Sequence, residues 1–283
     1  MNIPTSTCYL NGEFLPLADA RIPVMDRGFI FGDGVYEVIP VYNGRAFRLA
    51  QHLDRLGNSL AAIRIDNPLA ARQWQKIIGE IVDQNGNGDQ SVYVQITRGV
   101  APRDHAFPNP TVPTVFVTSS PLKKPTADML AGVAALTLED IRWQYCHIKA
   151  ITLLANILLR QQAIDAGCIE AILTKNGLVT EGAASNVFVV TGETLVTPPK
   201  GPHLLPGITR DVILDLARAN GIRCAERDIG RDELVAADEI WLTSSTREIL
   251  PVTVLDGRPV GNGRPGPLWT RVLALYQQFK QTL

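Results

Sequence analysis

The chain has 283 residues, which is long for one hydrophobic core and sufficient for two domains. Its composition, 46% hydrophobic and 19% charged, is typical of a globular protein and excludes a disordered chain. Because the net charge is −1, no basic surface is available to gather nucleic acid or an anionic membrane, and small-molecule chemistry is favoured.

Neither an export signal nor a metal site is evident in the sequence. Met1 to Leu10 lacks the basic and apolar regions of a secretory signal, and the longest apolar stretch, 151–159, is too short to span a membrane. The four cysteines and four histidines are scattered, without the spacing of metal ligands. We therefore expect a cytoplasmic protein with reduced thiols.

The first half of the chain is predicted to contain strands and two helices. Val35 to Tyr42 is rich in β-branched and aromatic residues and ends at Asn43-Gly44, which predicts a type I′ hairpin. Pro40 within this strand indicates an edge strand or a bulge. Apolar periodicity predicts helices over 47–63 and 68–84, and the second helix ends at the Asn-Gly-rich stretch 85–89. Further strands are predicted over 91–97 and 114–118.

A polar segment with two prolines, 119–125, is the predicted linker between domains of residues 1–118 and 126–283. Beyond it strands and helices mix, and no GxGxxG motif opens a helix. The predicted strands are 133–138, 171–174, 186–190 and 239–242, and the predicted helices are 153–166, 209–220 and 268–278. The sequence therefore predicts a two-domain α+β protein with mixed or antiparallel sheets.

Lys149 differs from the other lysines because it lies in an apolar segment, 146–151, in front of an apolar helix. We expect it to be buried, and burial would favour the neutral amine that attacks an aldehyde. The alternative is a lysine whose stem packs on apolar surface while its ammonium group reaches water. Spacing alone favours that alternative.

Glu181 lies in a turn, 179–186, between two predicted strands. A pyridine ring that accepts electrons needs a protonated nitrogen, and an adjacent carboxylate is the simplest way to keep the proton there. Taken alone, a Glu-Gly pair is more often a solvated turn.

Three features could bind a phosphate group. Residues 207–211 precede a helix, so backbone N–H groups and the Thr209 hydroxyl could face an anion, although Thr209 could also be an ordinary helix cap. Residues 243–246 form a second hydroxyl-rich turn after a strand. Arg55 lies on the polar side of its helix and could bind phosphate or form a surface ion pair.

The loop 101–108 carries Arg103 and His105, which point the same way if the backbone is extended. Two donors projecting together suit a carboxylate. A surface loop with incidental charges is the alternative that spacing alone favours.

Taken in order, these segments resemble the class IV (fold-type IV) aminotransferases that use pyridoxal 5′-phosphate, from about Tyr9 to Gln278. The stretches that carry the resemblance are 26–28, 31–37, 52–56, 98–107, 139–149, 180–182, 185–188, 207–211 and 243–248. The resemblance implies that Lys149 binds the cofactor covalently and then carries the proton, and that Glu181 binds the pyridine nitrogen. It further implies phosphate contacts from Arg55, Ile208, Thr209, Ser244 and Ser245, a ring contact from Leu205, and substrate contacts from Tyr36, Val38 and Thr246.

Arg103 and His105 match the pair that marks the D-amino acid enzymes of this family, where it binds the substrate α-carboxylate from the partner subunit of a homodimer. The resemblance thus implies transamination between D-amino acids and 2-oxo acids, with D-alanine and 2-oxoglutarate as the expected pair. A branched-chain L-amino acid aminotransferase and an aminodeoxychorismate lyase are the rivals within the fold. A non-catalytic cofactor-binding or structural dimer is a further alternative, which Lys149 and Glu181 argue against.

Two departures from the family pattern stand out. Ala183 and Ala184 replace serines that often follow the Glu-Gly pair, so two hydroxyls expected near the cofactor are missing. Arg247 occupies a position that is usually small; it could assist a second substrate carboxylate or face solvent, and we expect it to face solvent.

Overall fold

The computed structural model describes residues 6–86 and 88–282, which form two compact units. The first unit runs to Leu122 and also contains Ile148–Thr152, whereas the second contains Lys123–His147 and the chain from Leu153 onward. Residues 1–5 and 283, at the ends of the predicted domains, and Asn87, within the predicted Asn-Gly stretch, lie outside the described residues. Over the described ranges, no helix is long and apolar enough to cross a membrane.

The first unit is one antiparallel sheet with helices. Its strands are β1 (Thr7–Leu10), β2 (Glu13–Pro16), β3 (Gly34–Tyr42), β4 (Arg45–Ala46), β5 (Gln90–Thr97) and β6 (Thr114–Pro121). They pair in the order β2-β1-β6-β5-β3-β4. Its helices are α1 (Arg27–Phe31), α2 (Leu49–Ala62) and α3 (Ala71–Gln84), with a 3-10 turn at Leu17–Asp19.

Strand β3 organises this unit and has the predicted turn. Asn43 and Gly44 have φ angles of 50° and 76°, as the type I′ hairpin requires. Pro40 lies in regular register opposite Ser91, and its carbonyl accepts a hydrogen bond from Phe47 N on the other side. The prediction of an edge strand or a bulge is therefore wrong, since β3 is the second strand from the edge and its register is regular. Because only the two-residue β4 pairs on that side, the missing N–H of Pro40 costs no ladder hydrogen bond.

Alternation along β3 separates two faces of the sheet. Val35 and Ile39 are fully buried in the core formed with α2 and α3. Tyr36 and Val38 point to the opposite face and are half-buried. Glu37 falls on the core-facing side of the strand, so a charged group is placed where an apolar one is expected.

The second unit is a mixed sheet with helices on it. Its strands are β7 (Val133–Glu139), β8 (Glu170–Lys175), β9 (Leu178–Gly182), β10 (Asn186–Thr191), β11 (Thr194–Thr197), β12 (Arg223–Glu226), β13 (Glu239–Ser244), β14 (Glu248–Leu255) and β15 (Arg258–Pro259). They pair in the order β12-β11-β10-β13-β14-β7-β8-β9, with β15 on β14. Its helices are α4 (Ala127–Ala131), α5 (Leu154–Asp165), α6 (Ile208–Ala219), α7 (Arg231–Val235) and α8 (Pro267–Gln281).

The predicted fold class, α+β with mixed and antiparallel sheets, is confirmed. In the second unit β7 runs parallel to both β14 and β8, while β10, β13 and β14 pair antiparallel. The predicted linker at 119–125 begins too early, because Ser119–Pro121 continue β6. Ser119 is buried there and donates a hydrogen bond to Gln90. These polar residues are thus stabilised as a strand by pairing with β5.

Candidate active site

Lys149 lies on a short segment that runs beside the start of β3 in the first unit. Its carbonyl accepts a hydrogen bond from Tyr36 N at 2.9 Å, and two residues further along the segment Ile151 N donates one to the Gly34 carbonyl. On its other side, Lys149 N donates to the Ser59 hydroxyl of α2 at 3.2 Å. The backbone of Lys149 is therefore fixed from both sides.

The side chain of Lys149 is half-buried, which corrects the expectation of a buried amine. The neighbours Ile148 and Ala150 enter the core, whereas Lys149 points to the opposite side. Its Nζ lies 4.2 Å from the centre of the Tyr36 ring. An amine held against an aromatic face and still partly open to solvent can reach a ligand, as a covalent attachment requires.

A buried charged cluster lies under this segment. Glu37 accepts hydrogen bonds from Arg55 Nε at 2.7 Å and Nη2 at 2.8 Å, and from His52 Nδ1 at 2.8 Å. Burial would raise the pKa of Glu37, but the charge and hydrogen bonds of Arg55 lower it to about 2. Burial lowers the pKa of His52, so it is a neutral imidazole that donates through Nδ1.

Arg55 is buried, not on the polar side of α2 as predicted. Its partner Glu37 lies on another element, so helical periodicity alone could not show the pairing. Sequence reasoning also missed Glu37 and His52 as site residues. The signal was present, however, since a glutamate at a core-facing strand position needs buried cationic and donor partners.

The half-buried face of the first sheet carries aromatic and polar groups. The rings of Tyr36 and Tyr93 lie 5.8 Å apart, and Tyr93 OH donates to Gln95 at 2.7 Å. Val38 pairs directly with Tyr93 across β3 and β5. Burial raises the pKa of Tyr93 to about 12, so its hydroxyl stays protonated and acts as a donor.

The loop that carries Arg103 and His105 is held by two arginines of the same unit. Arg27 donates to the Asp104 carbonyl at 2.5 Å and, through Nε, to Asp33 at 2.8 Å. Arg98 also binds Asp33, and its guanidinium lies 3.7 Å from the centre of the Phe107 ring. A loop anchored in this way can present side chains in a fixed direction.

Arg103 and His105 both contact the ring of Phe31, at the end of α1. The Arg103 guanidinium carbon lies 5.3 Å from the ring centre, and the His105 ring lies 5.5 Å from it. Both side chains are exposed. The two-residue spacing thus brings the pair to one side of the loop, where each keeps donors available for an anion.

Glu181, at the end of β9, is buried in the second unit and is not a solvated turn residue. It accepts hydrogen bonds from Arg142 Nη1 at 2.5 Å, Leu205 N at 3.0 Å and Asn186 Nδ2 at 3.2 Å. Arg142 in turn binds Asp140 through Nε and Nη2. Sequence reasoning assigned neither Arg142 nor Asn186 to the site.

Burial raises the pKa of Glu181 to about 7, against the opposing charge of Arg142. Burial also acts to raise the pKa of Asp140, but its hydrogen bonds with Arg142 hold that pKa below the usual value. The group therefore combines an ionised aspartate with a glutamate of high proton affinity. Such a carboxylate is suited to sharing a proton with a basic ring nitrogen.

Helix α6 begins beside Glu181. Gly207 is its N-cap and supplies no side-chain hydrogen bond, and Thr209 lies inside the first turn, which corrects the alternative that Thr209 is the cap. A Cβ at Gly207 would overlap Asn186 Oδ1, so only glycine allows Asn186 to approach. Ile208 and Thr209 are buried with this helix N-terminus, whose amide groups suit an anion.

The hydroxyl-rich turn follows β13 in the same unit. Thr243 pairs directly with Asn186 across the sheet, and in the described chain its buried hydroxyl has no hydrogen-bond partner. Ser244 and Ser245 are half-buried, as is Thr246. An orphaned hydroxyl and an uncapped helix N-terminus near a buried carboxylate fit a phosphorylated pyridine.

The structure explains the alanine at position 183 and corrects the expectation that Arg247 faces solvent. Ala183 packs against Leu159 and Leu173 in an apolar cluster, so a serine there would bury a hydroxyl, whereas Ala184 is exposed. Arg247 is half-buried, with Nη1 3.9 Å from Glu170, and does not extend into solvent as expected.

Comparison with known proteins agrees with this arrangement. The model of the family "Amino-transferase class IV" matches residues 34–255. A D-alanine aminotransferase of Bacillus licheniformis is 42% identical over 94% of both chains. The crystal structure of the Escherichia coli branched-chain amino acid aminotransferase has a TM-score of 0.93 at 28% identity, covering 97% of this chain and 94% of that one.

A third relative bears on the cofactor. A second branched-chain amino acid aminotransferase, solved with pyridoxamine 5′-phosphate, has a TM-score of 0.93 at 26% identity, over 99% of this chain and 95% of its own. The family match covers most of the chain, and the buried carboxylate, the half-buried lysine and the helix N-terminus without a side-chain cap are groups that such a cofactor could use. The chain therefore belongs to the class IV aminotransferases and is a pyridoxal-phosphate-dependent enzyme.

Proposed function

We propose that this enzyme transfers amino groups between D-amino acids and 2-oxo acids, with D-alanine and 2-oxoglutarate as the preferred pair. The observation that carries the proposal is the placement of Arg103 and His105 together on the ring of Phe31. Two exposed donors on an anchored loop form a receptor for the α-carboxylate. The similarity to a D-alanine aminotransferase over nearly the whole chain supports the same substrate class.

The cofactor contacts that we propose follow the family resemblance. Lys149 would bind the aldehyde carbon covalently, Glu181 would face the ring nitrogen, and Leu205 would lie beside the ring. Glu181 and Leu205 are joined by the hydrogen bond from Leu205 N. The residues proposed to hold the phosphate are Arg55, Ile208, Thr209, Ser244 and Ser245.

Bound pyridoxal phosphate supplies a carbonyl carbon that condenses with amines and a ring that accepts the electron pair released at Cα. With a substrate amine bound to the cofactor, Lys149 Nζ would be free to remove the substrate's Cα proton and would deliver it to C4′ of the cofactor. Glu181 keeps the proton on the ring nitrogen meanwhile. Lys149 and Glu181 would keep these roles in the return half-reaction with a second oxo acid.

Stereochemistry follows from where the α-carboxylate is anchored. The Cα–H bond must point at Lys149 Nζ and stand perpendicular to the cofactor ring. With the carboxylate held by Arg103 and His105, the D-enantiomer presents its hydrogen to the lysine. Tyr36, Val38 and Thr246 would then border the substrate, Val38 limiting its side chain.

The rival functions have weaker support. Branched-chain enzymes share the fold at 26–28% identity, but the Arg103–His105 pair argues against L-amino acids as substrates. An aminodeoxychorismate lyase would use the same lysine and cofactor but eliminate pyruvate. No specific contact favours either reaction over D-amino acid transamination.

We further propose a homodimer in which the loop with Arg103 and His105 serves the active site of the partner subunit. Around this loop the first unit exposes large apolar side chains, a surface typical of protein interfaces. They are Val24, Met25, Phe29, Val100, Phe107 and Val112. The free thiols of Cys8, Cys146, Cys168 and Cys224 fit the reducing cytoplasm, where we expect the enzyme to act.

Subunit mixing tests the action in trans. A hybrid of Lys149→Ala and Arg103→Ala subunits contains one site with both functional residues if the loop reaches the partner, and none if it serves its own subunit. Lys149→Ala homodimers should be inactive, and Arg103→Ala homodimers should turn over slowly at D-alanine concentrations below their raised KM. We therefore expect activity at such concentrations to rise on mixing the two homodimers under exchange conditions. No rise in activity in verified hybrids would contradict the arrangement.

A panel of D- and L-amino acids, scored by loss of the cofactor's absorption band in a single half-reaction, tests the function itself. We expect conversion with D-alanine and none with L-leucine. Arg103→Ala should raise the KM for D-alanine by about tenfold or more, because a charge-assisted contact is lost, with the cofactor band unchanged. Arg45→Ala, at an exposed arginine of the same unit, is the matched control. Conversion of L-leucine alone would refute the assignment.

A further inference from the structure

The turn that carries Arg247 is held in a fixed and strained shape. Arg247 N donates to the Ser244 hydroxyl at 3.2 Å. The next residue, Glu248, has a φ of 55°, and its carboxylate binds Gln277 at 2.6 Å and Lys280 at 2.5 Å, both on α8. A non-glycine residue in the left-handed region persists where its surroundings fix it, and such positions gather at functional sites.

Arg247 faces a buried carboxylate that it shares with a second arginine. Glu170 is 1% exposed, and its Oε2 lies 3.9 Å from Nη1 of both Arg247 and Arg160. The same oxygen accepts a hydrogen bond from Ser185, and Oε1 accepts one from Ala171 N. The two arginine side chains are 26% and 31% exposed, so each is reachable from solvent.

The charges in this cluster do not balance. Two guanidinium groups meet one carboxylate, and burial raises the pKa of Glu170 against the opposing charges of Arg160 and Arg247. At 3.9 Å neither arginine forms a hydrogen bond with it, and within the described residues neither guanidinium donates one elsewhere. Burial of Arg247, with repulsion from Arg160, also lowers the pKa of Arg247. A second anion would relieve this repulsion.

The cluster adjoins the proposed site within the second unit. Arg247 directly follows Ser244–Thr246, and Ser185 lies in the short loop between β9, which carries Glu181, and β10. We propose that Arg247, with Arg160 beside it, binds the distal carboxylate of acidic substrates such as 2-oxoglutarate and D-glutamate. A guanidinium fork matches a carboxylate in two parallel hydrogen bonds. This inference rests on the proposed function, because it names the acidic partner of that reaction.

Binding of glutarate and butyrate to the holoenzyme, measured by calorimetry, tests the inference without turnover. The two ligands share one carboxylate, and only glutarate has a second. We expect tighter binding of glutarate, and a fall of about tenfold in that preference for Arg247→Ser, since a charge-assisted contact is lost. Arg247→Lys keeps the charge but not the fork and should lose less.

Arg218→Ser is the matched control, because Arg218 is an exposed arginine of the same unit with its own partner, Glu226. It should leave the glutarate preference unchanged. Equal weakening of both ligands by Arg247→Ser would show a structural role and overturn the inference, as would a wild-type enzyme that binds the two ligands equally.

Kinetics separate this inference from the proposed function. The ratio of kcat/KM for 2-oxoglutarate to that for pyruvate should fall about tenfold in Arg247→Ser. If wild-type enzyme converts no D-amino acid but still prefers glutarate through Arg247, the proposed function fails and the anion site stands. If D-alanine is converted and the glutarate preference is absent, only the inference fails.

Discussion

Arg142 Nη1 donates a hydrogen bond to Glu181 at 2.5 Å in a site nearly closed to solvent. Burial raises the pKa of Glu181 to about 7 even so, and the negative charge of Asp140, which binds two other donors of Arg142, acts in the same direction. Arg142 thus orients Glu181 without cancelling its proton affinity. A ring nitrogen placed against this oxygen pair finds a partner that favours the protonated ring.

The first prediction concerns the cofactor-free enzyme. Glu181 changes from a pKa of about 4.5 when unfolded to about 7 when folded, so between these values the folded state holds a proton that the unfolded state has released. Stability from this residue is therefore lost as pH rises from about 4.5 to about 7, by on the order of 3 kcal/mol. Urea unfolding across this range should show the free energy of unfolding of Glu181→Gln rising relative to wild type.

Glu193→Gln, at an exposed ion pair with Arg223, serves as the control and should follow wild type. A constant difference between Glu181→Gln and wild type over the whole range would mean that the proton affinity of Glu181 is not altered by folding.

The second prediction concerns Glu37. Its pKa is lowered to about 2 by Arg55, so its stabilising contribution is complete above about pH 4.5 and is lost as pH falls towards 2. Glu37→Gln should remove about 3 kcal/mol of stability at neutral pH and flatten this acid dependence. It should also weaken cofactor binding by about tenfold, because Arg55 loses its charge-assisted, two-oxygen contact with the Glu37 carboxylate.

Both effects are measurable by unfolding and by titrating the apoenzyme with pyridoxal phosphate. Glu13→Gln, on an exposed residue of β2, is the control. Unchanged cofactor affinity in Glu37→Gln would show that Arg55 needs no positioning by Glu37.

Local signals in the sequence predicted local structure well. The Asn43-Gly44 turn was predictable because both residues favour positive φ, and no distant contact decides the outcome. Arg55 was misplaced because its environment is set by Glu37, 18 residues away on a strand. Periodicity describes one element at a time and cannot show which charges two elements bury together.

The same limit applies to the second unit. Glu181 was identified from its turn and the family pattern, but Arg142 reaches it from 39 residues earlier in the chain. Ser119–Pro121 were predicted as linker from their composition, but their pairing with β5 makes them part of β6. Sequence therefore pointed to candidate groups such as Glu181, whereas their supporting partners are visible only in the folded structure.

The third prediction concerns Phe31, whose ring contacts both Arg103 and His105. Phe31→Ala removes this shared support, so the two donors lose their fixed direction. We expect the KM for D-alanine to rise by about tenfold with the cofactor band unchanged. Phe14→Ala is the control, since Phe14 is half-buried against Tyr9 in the same unit. A loss of bound cofactor in Phe31→Ala would instead assign the ring a role in cofactor binding.

The fourth prediction concerns Gly207, where a methyl group would overlap Asn186 Oδ1. Gly207→Ala must displace Asn186, which donates to both Glu181 and the Leu205 carbonyl, and this disturbs the carboxylate and the start of α6 together. We expect a loss of about 1–3 kcal/mol in the free energy of unfolding from overpacking, and at least tenfold weaker binding of pyridoxal phosphate.

Gly201→Ala, where a Cβ meets nothing within 4 Å, should change neither quantity. Thermal stabilisation by inorganic phosphate separates the two parts of the effect. If phosphate stabilises Gly207→Ala as much as wild type, the helix N-terminus is intact. The disturbed Asn186–Glu181 contact alone then accounts for the weaker cofactor binding.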